Sequence, residues 1–203
     1  MAAIWAFGST ISCQHQTLLS LVMNKPLYQN MILISGTGRN VGKTTLACRL
    51  IKTFCEHGIT ALKISPHWHT IDTEEYILVN NDKFLILEER NGNGKKDSSK
   101  MLTSGARKVY YIQANDENLE LAFNYIIEYL VQQEPIICES ASLGKFIKPV
   151  LHLRVTNSTE ISAKEEEANK IPFDHLVLNN GNRFDSIIDR IQLTGNKWFI
   201  QND

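Results

Sequence analysis

The feature that most constrains the fold is an apolar run at residues 31–35 that leads through glycines directly into an amphipathic helix pattern. In such an arrangement of strand, turn and helix, successive backbone N–H groups and the helix N-terminus converge on one anionic site. The helix pattern repeats apolar residues at i, i+3 and i+4, which is typical of one buried face. The segment therefore predicts an α/β fold with a phosphate-binding loop that runs from Gly36 to Thr45.

The residue types in this loop suit the phosphates of a nucleoside triphosphate together with Mg²⁺. Gly42 allows close backbone approach, Lys43 would reach the β- and γ-phosphates, and Thr44 would offer its hydroxyl to Mg²⁺. The predicted nucleotide-binding residues of the loop are Gly36, Thr37, Gly38, Arg39, Asn40, Val41, Gly42, Lys43, Thr44 and Thr45. The spacing departs from GxxxxGK[ST] by one position, because Thr37 stands where the first glycine belongs. A chance Gly-Lys-Thr in a strand-to-helix turn is the alternative.

From residue 31 onward, short apolar runs alternate with helical stretches, which predicts a mainly parallel sheet with crossover helices. The predicted strands are residues 31–35, 60–64, 109–112, 136–138, 150–155 and 175–178. The predicted helices are the one that ends near Gly58, a short one from 97 or 98 to 105, 117–131 and 163–170, with a last amphipathic segment at 184–191. Residues 76–79 and 83–87 predict a β-hairpin inserted between βα units. Residues 91–96, polar and rich in glycine, predict a mobile loop.

Composition indicates one globular domain at residues 31–203, preceded by a tail or an over-extended start at residues 1–30. The 203 residues are 43% hydrophobic with a net charge of −1, so no basic excess points to nucleic acid. The apolar run at 18–23 is too short to span a bilayer, and the features of a secretory signal are missing, so we expect no membrane partner. Four cysteines without a CxxC pair suit a reducing cytoplasm.

The loop resembles the phosphate loop of dethiobiotin synthetase and the cobyric acid synthases, which have the pattern Gly-Thr-x-x-x-Val-Gly-Lys-Thr with the same extra residue. The later part of the chain resembles MobB, the molybdopterin-guanine dinucleotide biosynthesis adaptor. That likeness rests on Leu62-Lys63 followed by His67 and His69, on Lys96-Asp97-Ser98 leading to Gly105-Ala106, and on Cys138-Glu139 followed by Lys148-Pro149. The resemblance implies a three-layer P-loop NTPase fold with helices on both faces of the sheet, a homodimer, and GTP or ATP with Mg²⁺ as ligands.

Two acidic residues are candidates for the metal site. Glu139 follows a buried strand, where the resemblance places the acid that holds Mg²⁺ or its water, and a hard dication wants oxygen ligands. We predict Lys43 and Glu139 as catalytic residues, and Thr44, Glu139 and Asp97 as metal residues. Asp97, at a predicted helix start, is either a helix cap or a second acid associated with Mg²⁺. Serine, alanine and serine follow Glu139 where the dethiobiotin synthetase pattern has glycines, which argues against the biotin precursor as substrate.

Lys63 lies at the carboxyl end of a predicted strand, the edge at which open α/β sheets bind ligands. A lysine among apolar neighbours needs an anion, so we predict a phosphate or substrate contact, with a surface salt bridge as the alternative. His67 and His69 are able to present two imidazoles on one side of an extended segment. Two ligands do not make a metal site, so ordinary loop histidines are the favoured interpretation.

The predicted strand at 175–178 ends at Asn179, and the resemblance implies that this asparagine reads the base. Its amide can both donate to and accept from a purine edge. Guanine specificity usually needs Asn-Lys-x-Asp, and Asn182 stands at the position of that aspartate, so both GTP and ATP stay open. An Asn-Gly turn without a base contact is the alternative.

Three functions compete on these observations. The first is a Mg²⁺-dependent NTPase of the MobB-like kind, acting in molybdenum cofactor (molybdopterin guanine dinucleotide) or related cofactor biosynthesis with a protein partner from that pathway. The second is an ATP-dependent carboxylate ligase resembling dethiobiotin synthetase, in which Lys63 and the loop near Ser65 and Pro66 hold the substrate. The third is a nucleotide-gated adaptor with little turnover, whose loop at 91–96 changes order with the γ-phosphate.

Overall fold

The structure is a computed structural model that describes residues 25–70, 76–157, 170–181, 184 and 186–201. The strands in these ranges are β1 (Leu27–Gly36), β2 (Thr60–Ser65), β3 (Tyr76–Asn80), β4 (Leu85–Glu88), β5 (Lys108–Gln113), β6 (Ile136–Glu139), β7 (Lys148–Thr156), β8 (His175–Leu178), β9 (Ile191–Thr194) and β10 (Lys197–Ile200). The α-helices are α1 (Lys43–Thr53), α2 (Asp97–Thr103) and α3 (Asp116–Tyr129). No helix in the described ranges is both long enough and apolar enough to cross a membrane.

Eight of the strands form one sheet in the order β3-β4-β5-β2-β6-β1-β7-β8. The six strands from β5 to β8 in this order are parallel, whereas β3 and β4 form an antiparallel hairpin that pairs with β5. The structure therefore confirms the α/β class, the mainly parallel sheet and the hairpin predicted at residues 76–79 and 83–87.

Helices cover both faces of the sheet, so the fold has three layers. Because side chains alternate along a strand, Ile32 and Ile34 of β1 belong to one core cluster while Met31 and Leu33 belong to the other. The first cluster includes buried residues of α1 and α2, and the second includes the apolar face of α3. The strand that leads into the glycine loop is thereby buried on both faces, as the continuous apolar run predicts.

The sequence prediction placed the start of β1 four residues too late. The strand begins at Leu27, so residues 27–30, which the sequence assigned to a tail, belong to the sheet. Leu27 and Tyr28 pair with Lys148 and Pro149 of β7, and this part of the strand is only half-buried. A partner strand rather than an apolar pattern fixes these residues as strand, which is why the pattern missed them.

A second correction concerns the C-terminal part of the chain. The amphipathic segment predicted at 184–191 contains a 3-10 turn, Ser186–Arg190, and the chain continues into an unpredicted antiparallel hairpin of β9 and β10. Trp198 of β10 is buried against Phe54, with ring centroids 5.0 Å apart, and its indole N–H donates to the Asn30 carbonyl at 2.9 Å. The helix predicted at 163–170 lies almost wholly, and Asn182 entirely, outside the described residues.

Candidate functional site

The predicted site residues converge because three parallel strands end at one edge of the sheet. β6 lies between β1 and β2, and Glu139 at its carboxyl end is in register with Ile34 of β1 and with Lys63 of β2. The loop that follows β1 thus starts beside the end of β6. Lys63 and Glu139 thus lie at the carboxyl edge of the sheet, as the sequence predicted, and this is the edge at which open α/β sheets place ligands.

The backbone between β1 and α1 has the form of an anion-binding turn. Asn40 and Gly42 have positive φ values of 58° and 105°, and the first hydrogen bond of α1 runs from the Leu46 N–H to the Gly42 carbonyl at 2.9 Å. No side chain caps this helix end. By helix geometry, the N–H groups of Lys43, Thr44 and Thr45 therefore have no partner within the helix, and the positive end of its dipole faces the loop.

The loop is tied to the neighbouring strands β7 and β8. The Thr37 N–H donates to the Val155 carbonyl at 3.1 Å, while the Asn179 amide donates to the Val41 carbonyl at 2.9 Å. The amide oxygen of Asn179 accepts from the Gly181 N–H at 3.0 Å, which forms the Asn-Gly turn that the sequence offered as an alternative. Asn179 thus lies at the site and holds the loop by a hydrogen bond. That it reads the base of a nucleotide stays a prediction.

Lys43 lies along the loop that it follows. Its ammonium donates a hydrogen bond to the Gly38 carbonyl, while Gly38, Arg39 and Asn40 are themselves exposed at the turn. Burial lowers the pKa of the Lys43 ammonium below its usual value, although the charge of Glu139 acts in the opposite direction. The cation is therefore held at the mouth of the loop, where its donors are within reach of an anion.

The central feature of the site is a cluster of one hydroxyl, two carboxylates and one ammonium. Glu139 is 2% exposed, and the Thr44 hydroxyl donates to its Oε2 at 2.8 Å. The Lys63 ammonium lies 2.5 Å from Glu139 Oε1 and 3.3 Å from Asp97 Oδ2. The structure thus brings together Thr44, Lys63, Asp97 and Glu139, four residues that the sequence placed at the site.

Asp97 is an ion-pair partner and not a helix cap. Lys96 is the N-cap of α2, which has no side-chain cap, and the Asp97 carboxylate bonds to Lys63 and to Lys100, the latter at 3.0 Å. Partial burial would raise the pKa of Asp97, but the hydrogen bonds and charges of Lys100 and Lys63 outweigh it and lower the pKa. The sequence left Asp97 as either a helix cap or a second acid of the metal site, and the structure excludes the helix cap.

The donor set of this cluster fits Mg²⁺ better than a softer metal. Mg²⁺ in nucleotide sites is held by one or two carboxylates, with phosphates and water completing its shell. Thr44, Glu139 and Asp97 provide that set, and the Lys63 ammonium shows that a cation is accommodated between the carboxylates. Within the described ranges, no three His, Cys, Asp or Glu residues gather as a metal site, and both His67 and His69 are exposed.

A buried serine–histidine pair at the end of β1 is not among the residues predicted from the sequence. The Ser35 hydroxyl donates to His152 Nε2 at 2.8 Å, and His152 Nδ1–H donates to the Pro172 carbonyl at 2.7 Å. Burial lowers the pKa of His152 to about 4, so the imidazole stays neutral and accepts from Ser35. A histidine inside an apolar strand pattern was the available signal. The pair anchors the end of β1 and is too buried to react with a ligand.

A cleft of about 500 Å³ opens between α1 and α2 beside the cluster. Its lining residues are Thr44, Thr45, Cys48, Gly92, Gly94, Lys100, Thr103 and Ser104. Burial raises the pKa of the Cys48 thiol, so this wall is neutral, and Lys100 is the charged lining residue. The cleft was not predictable from the sequence because its walls come from segments about fifty residues apart in the chain, although Lys100 follows Asp97 at i+3 spacing.

No protein-family model, no curated protein and no solved structure matches the chain.

Proposed function

We propose that the protein binds and hydrolyses a nucleoside triphosphate with Mg²⁺, as a MobB-like NTPase serving molybdenum cofactor (molybdopterin guanine dinucleotide) or related cofactor biosynthesis. The observation that carries this proposal is the contact of Thr44 with buried Glu139, at the uncapped N-terminus of α1. A hydroxyl of the first helical turn and a carboxylate from the adjacent strand are the two protein groups that such a magnesium site needs.

In the proposed reaction, the loop N–H groups and the start of α1 bind the phosphates. Lys43 exchanges its bond to the Gly38 carbonyl for oxygens of the β- and γ-phosphates, where charge develops during hydrolysis. Thr44 and Glu139 would hold Mg²⁺, with Asp97 as a further acid, and the bound metal would supply positive charge that offsets the negative charge of the phosphates.

Among the described residues of the site, none is placed to act as a base that activates water. Lys63 engages the carboxylates of Glu139 and Asp97 in this structure, Mg²⁺ would engage them in the nucleotide complex, and Lys43 is a cation. We therefore expect slow turnover of the protein alone, and stimulation by a homodimer mate or by a protein partner from the cofactor pathway. GTP and ATP are both compatible with the proposal.

Nucleotide binding by Lys43→Ala tests the premise. Equilibrium titration of ATP and GTP, with and without Mg²⁺, is expected to give binding by the wild type and about 10- to 100-fold weaker binding by the variant, since a charge-assisted contact is lost. Lys52→Ala is the matched control, because Lys52 is an exposed lysine in the last turn of the same helix. Equal affinities of Lys43→Ala and the wild type would reject the proposed function.

The cleft between α1 and α2 favours one second candidate, an ATP-dependent carboxylate ligase. Thr44 belongs both to the cluster and to the wall of the cleft, so a small acid bound there lies next to the proposed metal site, with Lys100 as its cation. Phosphate release measured with and without a panel of small carboxylic acids separates the two candidates. Acid-dependent release supports the ligase, whereas the same release with every acid supports the NTPase.

A further inference from the structure

The Lys63 ammonium occupies the position at which the two acids of the cluster need a cation. It lies 2.5 Å from Glu139 Oε1 and 3.3 Å from Asp97 Oδ2, and its side chain is only 16% exposed. The Glu139 side chain is 3% exposed, so its charge is shielded from water. A carboxylate buried to this degree is stable as an anion only beside a cation or strong donors. Lys63 and the Thr44 hydroxyl meet that need.

A magnesium ion at the same carboxylate competes with this lysine. Mg²⁺ binds oxygen ligands at about 2.0–2.1 Å, so a metal on Glu139 would share the oxygens that the ammonium now contacts. An ammonium and a metal ion that contact the same carboxylate oxygens repel each other strongly in a site with little water. The metal therefore gains access to Glu139 and Asp97 only as Lys63 leaves them.

The Lys63 ammonium can move away from the two carboxylates because it lies at the end of a flexible side chain. A second anion nearby would stabilise it in the new position. A lysine carries its ammonium on a four-carbon stem, so the head moves while the backbone stays in the sheet. The backbone of Lys63 is fixed in β2, in register with Glu139. The terminal phosphate of a nucleoside triphosphate, bound at the adjacent loop, would be the nearest new anion.

We propose that Lys63 and Mg²⁺ exchange places at Glu139 and Asp97, so that the lysine keeps the metal out until a triphosphate draws its ammonium away. Metal and triphosphate then bind cooperatively, since each makes the exchange easier for the other. The inference rests on the proposed function and adds to it the order in which triphosphate and metal bind. The metal site is formed by the triphosphate and is not available to the divalent ion alone.

Binding of Mn²⁺ to the protein without nucleotide, followed by electron paramagnetic resonance, tests the exchange directly. Lys63→Met removes the competing charge at similar length, so Mn²⁺ is expected to bind about tenfold or more tightly than to the wild type. Lys63→Arg keeps a cation at the carboxylates and is expected to bind Mn²⁺ as weakly as the wild type. Lys145→Met is the charge-matched control, because Lys145 pairs with Asp116 at 2.6 Å outside the cluster.

A neutral variant with a donor covers the case in which Lys63→Met does not fold. Lys63→Gln retains a hydrogen-bond donor for buried Glu139 while removing the charge, and it is expected to show the same gain in Mn²⁺ affinity. Adding Glu139→Gln to it should abolish the gain. Equal Mn²⁺ affinity of the wild type, Lys63→Gln and Lys145→Met overturns the exchange.

The two proposals fail in different measurements. If neither ATP nor GTP binds to the wild type, the proposed function is wrong, whereas the Mn²⁺ titrations still report whether Lys63 competes with a divalent cation. If nucleotide binds but removal of the Lys63 charge leaves Mn²⁺ affinity unchanged, the exchange is wrong and the proposed function stands. Enhanced Mn²⁺ binding together with triphosphate binding that is tighter in the presence of Mn²⁺ supports both.

Discussion

Among single residues, Gly42 is the most tightly constrained position of the candidate site. Its φ of 105° lies in a region that side chains disfavour, and a Cβ added there would lie 2.3 Å from Nδ2 of Asn179. The same Asn179 amide donates to the Val41 carbonyl, so the side chain has little freedom to retreat. The absence of a side chain at Gly42 therefore allows β8 to hold the loop.

Replacing Gly42 with alanine should lower the free energy of unfolding by more than backbone strain alone accounts for. Gly181→Ala is the matched control, since Gly181 has a φ of 86° and a Cβ there would meet no atom of the described residues within 4 Å. We expect about 1–2 kcal/mol of lost stability for Gly181→Ala from strain, and about 1–3 kcal/mol more for Gly42→Ala from the clash with Asn179. Urea denaturation measures both, and equal losses would show that Asn179 does not constrain the loop.

Among the elements, helix α2 and the segment before it, residues 89–96, are joined into one unit by hydrogen bonds. The Glu89 carboxylate accepts hydrogen bonds from the hydroxyls of Ser98 and Ser99 at 2.7 and 3.0 Å, and from the Asn91 N–H at 2.9 Å. A Cβ at Gly94 would lie 2.3 Å from the Ser99 hydroxyl, so the turn packs directly on the helix. The sequence predicted a mobile loop at residues 91–96, whereas the structure shows a turn held to α2. This unit positions Asp97 and one wall of the cleft.

Removal of the Glu89 carboxylate should loosen this unit. We expect Glu89→Ala to lower the free energy of unfolding by about 1–3 kcal/mol, because two buried hydroxyls lose a charged acceptor. Glu88→Ala is the neighbouring control. Glu88 pairs with the exposed Arg90 at 3.0 Å, so its loss should cost about 1 kcal/mol or less. Chemical denaturation at pH 7 checks both values, and similar losses for the two variants would contradict the bracing role of Glu89.

At the scale of the whole molecule, His152 links separate parts of the fold. Its Nε2 accepts from Ser35 at the end of β1, its Nδ1–H donates to the Pro172 carbonyl, and its backbone N–H donates to Asp174 at 2.7 Å. Burial of the ring disfavours its charged imidazolium form and lowers its pKa. Protonation of this one side chain therefore opposes the folded state as a whole.

The stability of the protein should consequently fall as pH falls from about 6.5 toward about 4. The pKa of His152 is lower in the folded chain than in the unfolded chain, so over this window the unfolded chain binds the proton preferentially. Between pH 7 and pH 5, we expect a loss of about 2 kcal/mol from this group. His152→Asn keeps a donor for Pro172 and lacks the titration. Unfolding by urea at both pH values should therefore show a loss smaller by that amount in the variant, and identical losses would refute the assignment.

The local elements of the fold were predictable because their signals are local. The apolar run, the turn residues and the i, i+3, i+4 spacing predicted the end of β1, α1 and most later elements from neighbouring residues alone. The same reasoning placed the 36–45 loop between a strand and a helix, Lys63 and Glu139 at the ends of strands, and Asp97 at the start of a helix. Periodicity reports that a residue is buried and does not report its partner, so the start of β1 and the hairpin of β9 and β10 escaped it.

The sequence by itself determined a strand, a glycine turn and a helix with Lys43 and Thr44 at its start, since chain chemistry at adjacent positions decides that geometry. Only the tertiary structure decided what surrounds that turn. The order of strands brings Glu139 to Thr44 across 95 residues and Lys63 to Glu139 across 76, and it sets Ser35 against His152 across 117. These pairings depend on the register and order of parallel strands, which follow from packing of the whole core and not from any local pattern.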